Sequence, residues 1–245
     1  MSKTKNNSKR AILLLLLFLL LFGAVVLGIL AWKNLEPIVE AEQKWQEIRK
    51  HEKTDSDNNL NWELLQEKYP DIVGWLYAPD MGIDYPVMQG NNNEYYLNHL
   101  PDKTVNAVGS LFLDSENSAD IEDKLTVLYG HYVGKQQMLS ALVQYARPDY
   151  YADHKKLYYF SKKASYELEV FAACETDPNT RGKLLEYNAM PDTEKGVWIT
   201  DLMKTSDVQG PTLNTAQQIM ALVTCKSGQE NANRYIVYTI VKEQE

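Results

Sequence analysis

The sequence predicts a mostly β domain: a mixed barrel of about eight strands, closed or nearly closed, with N-terminal helices, helical insertions and one N-terminal transmembrane helix. Two observations predict it. From Ile72 to Val241 the chain reads as eight short apolar runs cut by turn residues: IVGWLY, IDYPVMQ, GSLFLD, KLTVLYGHYV, KLYYFS, SYELEVFAAC, QIMALVTC and NRYIVYTIV. Several alternate with period two, as in Tyr166, Leu168, Val170 and Ala172, and β-branched and aromatic residues fill them. Far upstream, residues 11–31 (AILLLLLFLLLFGAVVLGILA) carry no charge. At ~1.5 Å per helical residue that run reaches about 30 Å, the thickness of a hydrocarbon core.

Taken in order, Lys3, Lys5, Lys9 and Arg10 precede the apolar run, which places the N-terminus in the cytoplasm and the rest of the chain outside. A cleaved secretory signal needs an apolar region of only ~7–15 residues. This run is longer, and Trp32-Lys33-Asn34 reads as an interfacial anchor. Glu36 to Lys53 follows with Ile38, Ala41, Trp45 and Ile48 at helical spacing, a charged amphipathic stalk. Thr54 to Asn59 is a polar break, and Asn61 to Tyr69 reads as a second short helix stopped by Pro70. The expected organisation is therefore a basic tail at 1–10, a signal-anchor helix at 11–32, a stalk and linker at 33–59 and one compact domain at 60–245. Within that domain Gln136 to Tyr145 has helical spacing. Arg181 to Met203 mixes turns with a short apolar helix, in a long insertion of the kind that carries recognition.

Composition removes several function classes. The 245 residues hold 25 Lys+Arg against 33 Asp+Glu, a net charge of −8, which is wrong for a general nucleic-acid binder. Hydrophobic residues at 44% and charged residues at 24% exclude wholesale disorder. Cysteine occurs at positions 174 and 225 and histidine at 51, 99, 131 and 154, without zinc-ligand spacing, so no metal and no organic cofactor is expected. His99 and His154 sit in polar loops, where surface or turn-capping roles are the ordinary ones.

Cys225 closes the run QIMALVTC, and Arg234 opens RYIVYTIV after a polar loop containing Gly228. If the two runs pair as a hairpin, the thiol lies beside a fixed positive charge. His131 is expected to end the strand LTVLYGH, and strand ends on one barrel rim converge. The three side chains suffice for covalent acyl transfer. Positive charge favours the nucleophilic thiolate, imidazole exchanges protons near neutral pH, and guanidinium holds carbonyl oxygens or a developing oxyanion. The same residues also admit plainer readings: Cys225 as a small buried hydrophobe, or bridged to Cys174, itself a candidate for the strand core.

The segment LVTC with Arg234 beyond the loop resembles the TLxTC…R signature of sortases, the membrane-anchored cysteine transpeptidases of Gram-positive bacteria, and YGH at 129–131 is similar to their histidine motif. Ala221 stands where that signature has its first threonine, and Tyr132-Val133 follow the histidine where class B members often have a small polar residue and methionine. PDIVGWLYAPDMGIDYPVMQ, NNNEYYLNH, GSLFLD and the run to LYGHYV resemble class B segments in order, so the resemblance covers residues 60–241. It implies a sortase barrel in which Cys225, His131 and Arg234 are catalytic and Asn93, Leu97, Tyr129, Val223 and Thr224 contact the substrate. The partners implied are exported proteins with a C-terminal sorting motif and an amine from a peptidoglycan precursor or a pilin. Two rivals stand beside it: an anchored cysteine peptidase or amidase that hydrolyses its acyl enzyme, and a non-catalytic surface binding protein on a sortase scaffold.

Overall fold

The computed structural model describes residues 2–52, 60–134, 137–225 and 232–244. The chain divides into two units, one ending at Lys44 and the other beginning at Trp45. Helix α1 (Ser2–Glu52) starts in the first unit, where side chains from Leu13 to Leu30 are almost all exposed and the most apolar window has a mean hydropathy of 3.2. By length and composition this is a candidate membrane anchor. The sequence suggested separate anchor and stalk helices, whereas the backbone runs as one helix that contains Pro37. No glycine interrupts residues 29–52, and a single proline removes one backbone donor without ending a helix supported on both sides. Lys53 and the polar break at 54–59 lie outside the described residues.

The second unit is a closed eight-stranded barrel. Every apolar run named above supplies one strand: β1 (Ile72–Ala78), β2 (Ile83–Met88), β3 (Leu111–Leu113), β4 (Leu125–Tyr129), β5 (Lys156–Phe160), β6 (Ser165–Thr176), β7 (Gln218–Cys225) and β8 (Arg234–Glu243). The order around the barrel is β1-β2-β3-β4-β7-β8-β6-β5, with β5 returning to β1. The β2–β3 and β4–β7 pairs are parallel and the others antiparallel, so the barrel is mixed. Closure gives every strand a neighbour on both sides, which removes the edge strands of an open sheet.

Helix α2 (Trp62–Lys68) begins where Asn61 accepts the Leu64 N–H at 3.2 Å, and Leu65 and Tyr69 pack with Ile48, Ile72 and Trp75. Trp45 meets Tyr85 edge-to-face at 4.9 Å, and Arg49 donates to the Asp84 carbonyl at 3.1 Å. The expected helix at 136–145 is instead a 3-10 turn over Ser140–Ala146 followed by α3 (Pro148–Asp153). Met138 has φ 53, a left-handed backbone from which no right-handed helix starts; Gln136 lies outside the described residues.

The insertion between β6 and β7 folds into α4 (Arg181–Glu186), a 3-10 turn and α5 (Asp192–Thr205). Its Leu184, Tyr187, Ile199 and Leu202 pack on Ile219, Ala221 and Val223 of β7 and on Leu125 and Val127 of β4. The interior of an eight-stranded barrel has room for side chains and not for a helix, so the odd-numbered side chains of β7 that meet the insertion form its outer face and Met220, Leu222 and Thr224 turn inward.

Past α5, residues 206–210 cover the edge of β6 that short β5 leaves unpaired. The Asp207 N–H donates to the Ala173 carbonyl at 2.7 Å and that of Gly210 to Phe171 at 3.0 Å. Gly210 sits so close that a Cβ there would lie 2.4 Å from the Phe171 Cα. Backbone cannot move aside as a side-chain tip can, so Gly210→Ala is expected to cost about 1–3 kcal/mol of stability. A lowered urea midpoint with unchanged slope is the measurement that checks it.

Candidate active site

Cys225 is the last residue of β7 and Arg234 the first of β8, and the two are direct partners in the antiparallel ladder. The Arg234 guanidinium donates from one nitrogen, Nη1, to the Cys225 Sγ at 3.3 Å and to the Ala232 carbonyl at 2.7 Å. The hairpin expected from sequence therefore does place a fixed positive charge on the thiol. Both cysteines are free thiols, which overturns the reading of a bridge between positions 174 and 225. Cys174 pairs with Ile236, whose other neighbour is Val223, so it lies two strands away from β7. Burial, helped by the Asp207 charge, pushes its thiol up to about 11, a protonated and unreactive group at neutral pH.

β4 lies parallel to β7 with Tyr129 opposite Val223. Two residues beyond that pair, each strand has reached a candidate reactive group, His131 on one and Cys225 on the other. The strand stops at Tyr129, however, and His131 stands in the loop beyond it rather than at the strand end expected. Gly130 still donates to the Val223 carbonyl at 3.1 Å, in a space where a Cβ would press on Leu111 and Leu139, and the regular strand goes no further. His131 Nε2 lies 2.7 Å from the Leu97 carbonyl oxygen. A carbonyl only accepts, so Nε2 carries the hydrogen and Nδ1 is the nitrogen left to take or give a proton.

The residues flanking this rim have distinct settings. Leu97 is 41% exposed, its side chain open to an apolar neighbour. Tyr129 is half-buried beside Phe112, with ring centroids 5.2 Å apart. Val223 and Thr224 are 4% and 1% exposed. The Thr224 hydroxyl faces the barrel interior, where it has no hydrogen-bond partner among the described residues, so only the backbone of Thr224 is presented on the Cys225 side. Asn93 is half-buried, its Nδ2 donating to Asp114 at 3.0 Å and its Oδ1 accepting the Ser115 N–H at 2.8 Å.

Asp114 and Arg181 were not singled out as site residues by sequence reasoning. Asp114 follows β3 directly and its side chain is 0% exposed, yet its carboxylate accepts from Arg181 Nε at 2.7 Å and Nη2 at 2.8 Å, from the Tyr129 hydroxyl at 2.8 Å, from Asn93 and from the Glu116 N–H at 3.0 Å. Burial alone would raise its pKa, but the Arg181 contact and the other donors outweigh that and hold the carboxyl below the ordinary aspartate range. Burial, reinforced by the Asp114 charge, drives the Tyr129 phenol far up, so it stays protonated and donates. The one signal in the sequence was an acidic residue closing the apolar run LFL, and its partner lies 67 residues away.

His99 and His154 take the capping roles expected of them. Each ring stacks on the tyrosine four residues earlier, centroids 3.9 Å apart, and bonds that tyrosine's carbonyl through Nδ1. Among the described residues no group of three or more His, Cys, Asp or Glu is arranged to hold a metal ion.

The sortase domain family matches residues 76–241, well over half of the chain and running from within β1 to within β8. The chain belongs to the sortase family. It is similar to sortase B of Staphylococcus aureus, 29% identical over 177 residues that cover 72% of each protein. Sortase B of Listeria monocytogenes is 37% identical over 124 residues, covering 48% of this chain and 50% of that one. The solved structure of the S. aureus sortase B–substrate complex superposes with a TM-score of 0.68 and 28% identity, covering 75% of this chain and 85% of that chain. These matches place the protein with the class B sortases, and it is accordingly an enzyme of the cysteine transpeptidase type. A closed mixed barrel behind a long apolar helix is the architecture of this sortase.

Proposed function

We propose that this class B sortase cleaves a sorting motif near the C-terminus of exported proteins, holds the N-terminal part as a thioester on Cys225 and passes it to an amine of a peptidoglycan precursor or a pilin. The observation that carries the reading is the contact between the Arg234 guanidinium and the Cys225 sulfur, two residues past the Tyr129–Val223 pair on β7 as His131 is two residues past it beyond β4. Attack of the thiolate on a threonyl carbonyl forms the C–S bond, and collapse of the tetrahedral adduct breaks the peptide C–N bond. The departing amine takes its proton from His131 Nδ1. Arg234, rich in donors and always charged, stabilises the adduct's oxyanion. In the second half the incoming amine loses a proton to the same nitrogen, the new amide forms and the thiol is released.

In this reading Asn93, Leu97, Tyr129, Val223 and Thr224 line the peptide groove, Leu97 through its exposed side chain and Thr224 through its backbone. Residues 1–10 lie in the cytoplasm, 11–32 cross the membrane, and 33–59 hold the catalytic domain, 60–245, on the outer face. The asymmetry of basic residues about the apolar run supports that orientation.

Transfer and hydrolysis are separated by one experiment. The full-length chain in detergent is incubated with a library of internally quenched threonine-containing peptides and a rising concentration of a short peptide amine. Amide is expected to displace free acid as the amine rises, while total cleavage holds or increases. Product that stays acid at every amine concentration identifies an anchored cysteine peptidase instead.

A further inference from the structure

We infer that Asp114 and Arg181 form a positioning unit that fixes the polarity of the peptide groove, an inference that rests on the substrate-contact roles proposed above for Asn93 and Tyr129. Three elements far apart in sequence meet at the Asp114 carboxylate. Asn93 comes from the loop before β3, Tyr129 from the end of β4 opposite Val223, and Arg181 from the first turn of the insertion. Asp114 is fully buried and Arg181 is 41% exposed, so a two-pronged charge pair bridges the barrel to the insertion at the edge of the groove. Removing Arg181 leaves the buried Asp114 carboxylate without its counter-charge, the costly case for a buried pair.

The unit acts through hydrogen-bond direction. An ionised carboxylate only accepts, and the Ser115 N–H only donates, so the Asn93 amide has a single orientation: Nδ2 toward Asp114 and Oδ1 toward Ser115. One Nδ2 hydrogen is committed to Asp114 and the second is left to donate. The second Nδ2 hydrogen is therefore the donor that Asn93 offers the groove, Oδ1 being turned toward Ser115, and what that donor recognises is a carbonyl or carboxylate oxygen of the peptide. The Tyr129 hydroxyl spends its hydrogen on Asp114 and turns the opposite character outward, an oxygen that accepts a peptide N–H. Arg181 keeps Asp114 ionised, adds a second anchor through Glu116 at 2.7 Å, and so ties the pattern to the fold of the insertion. With Asn at position 114 the amide of Asn93 faces a partner that donates as well as accepts, and its orientation is held by the Ser115 N–H alone.

The test is a double-mutant cycle on the full-length chain in detergent, with the peptide that wild type cleaves fastest as the probe. Asp114→Asn is expected to raise KM about tenfold or more, the scale of a lost charge-assisted contact, with kcat within about threefold of wild type. The pH profile of iodoacetamide alkylation at Cys225 should not move, since the unit touches neither thiol nor imidazole. In an Asn93→Ala background, where KM is already raised, Asp114→Asn should add less than about twofold, because it acts through the missing amide. Arg181→Lys keeps the charge but loses the fork, and should raise KM in the same direction even if Asp114→Asn does not fold. Full additivity in the cycle, a loss confined to kcat, or a wild-type KM in Arg181→Lys overturns the inference. If wild type itself shows no Cys225-dependent cleavage of any peptide, the functional reading fails, an outcome distinct from additivity in an active enzyme.

Discussion

Replacing Cys225 with Ala is expected to abolish both peptide cleavage and amide formation, by at least about 10³-fold, while leaving the fold intact. The magnitude follows from the chemistry. In the proposed mechanism the Cys225 sulfur forms the covalent intermediate, and with alanine there the oxyanion contacts of Arg234 have no adduct to stabilise. The fold is spared because Cys225 is a half-buried strand terminus whose ladder partners bond through backbone. Among the described residues its Sγ accepts one hydrogen bond, from Arg234, and the guanidinium keeps its bond to the Ala232 carbonyl. The check is a pair of measurements on the same preparation: initial rates with the quenched peptide library and a thermal unfolding curve. Retained cleavage in a folded Cys225→Ala chain would mean that another group carries the nucleophilic attack. Cys174, inert by burial, is not a candidate, and Cys174→Ala is the natural control that should keep activity.

Much of this molecule was legible before any coordinates because strands and hairpins are local. Each of the eight apolar runs became a strand, since period-two alternation and β-branched content are decided within a few residues. The Cys225–Arg234 pairing was readable for the same reason: one loop joins two adjacent strands. What escaped was non-local or set by a single backbone angle. The run KLTVLYGHYV gave no sign that the strand would stop at Tyr129, or that the glycine after it fills a space that Leu111 and Leu139 close to any larger residue. The helix expected at 136–145 was delayed by the left-handed Met138. Asp114 looked like the polar end of a strand, and only the closed barrel and the folded insertion bring Arg181 to it. Leu97 stood out by resemblance, as a side chain that touches substrate. That its carbonyl lies within hydrogen-bond distance of His131 Nε2 is a fact of tertiary structure alone.

That carbonyl makes Gly109 the glycine whose replacement should matter most to the chemistry. Gly109 has φ 63, and a Cβ there would lie 2.5 Å from the carbonyl oxygens of both Leu97 and Tyr96. Gly109→Ala therefore adds a left-handed alanine, costing ~1–2 kcal/mol, to a backbone clash that cannot be relieved by a side-chain rotation, costing a further ~1–3 kcal/mol. Whichever way the chain relaxes, the Leu97 oxygen moves, and with it the acceptor 2.7 Å from His131 Nε2. An imidazole freed from that bond samples other orientations and tautomers, so kcat is expected to fall about tenfold or more in the folded fraction. Gly134→Ala separates the two effects. Its φ is 83 but no described residue lies within 4 Å of where a Cβ would sit, so it carries the conformational cost alone in the loop that follows His131. The expected pattern is a modest stability loss with near-normal kcat for Gly134→Ala, against a large loss of both for Gly109→Ala. Unfolding midpoints and active-site-titrated rates measure the two quantities independently. Normal kcat per titrated site in Gly109→Ala would show that the Leu97 carbonyl does not set the orientation of His131.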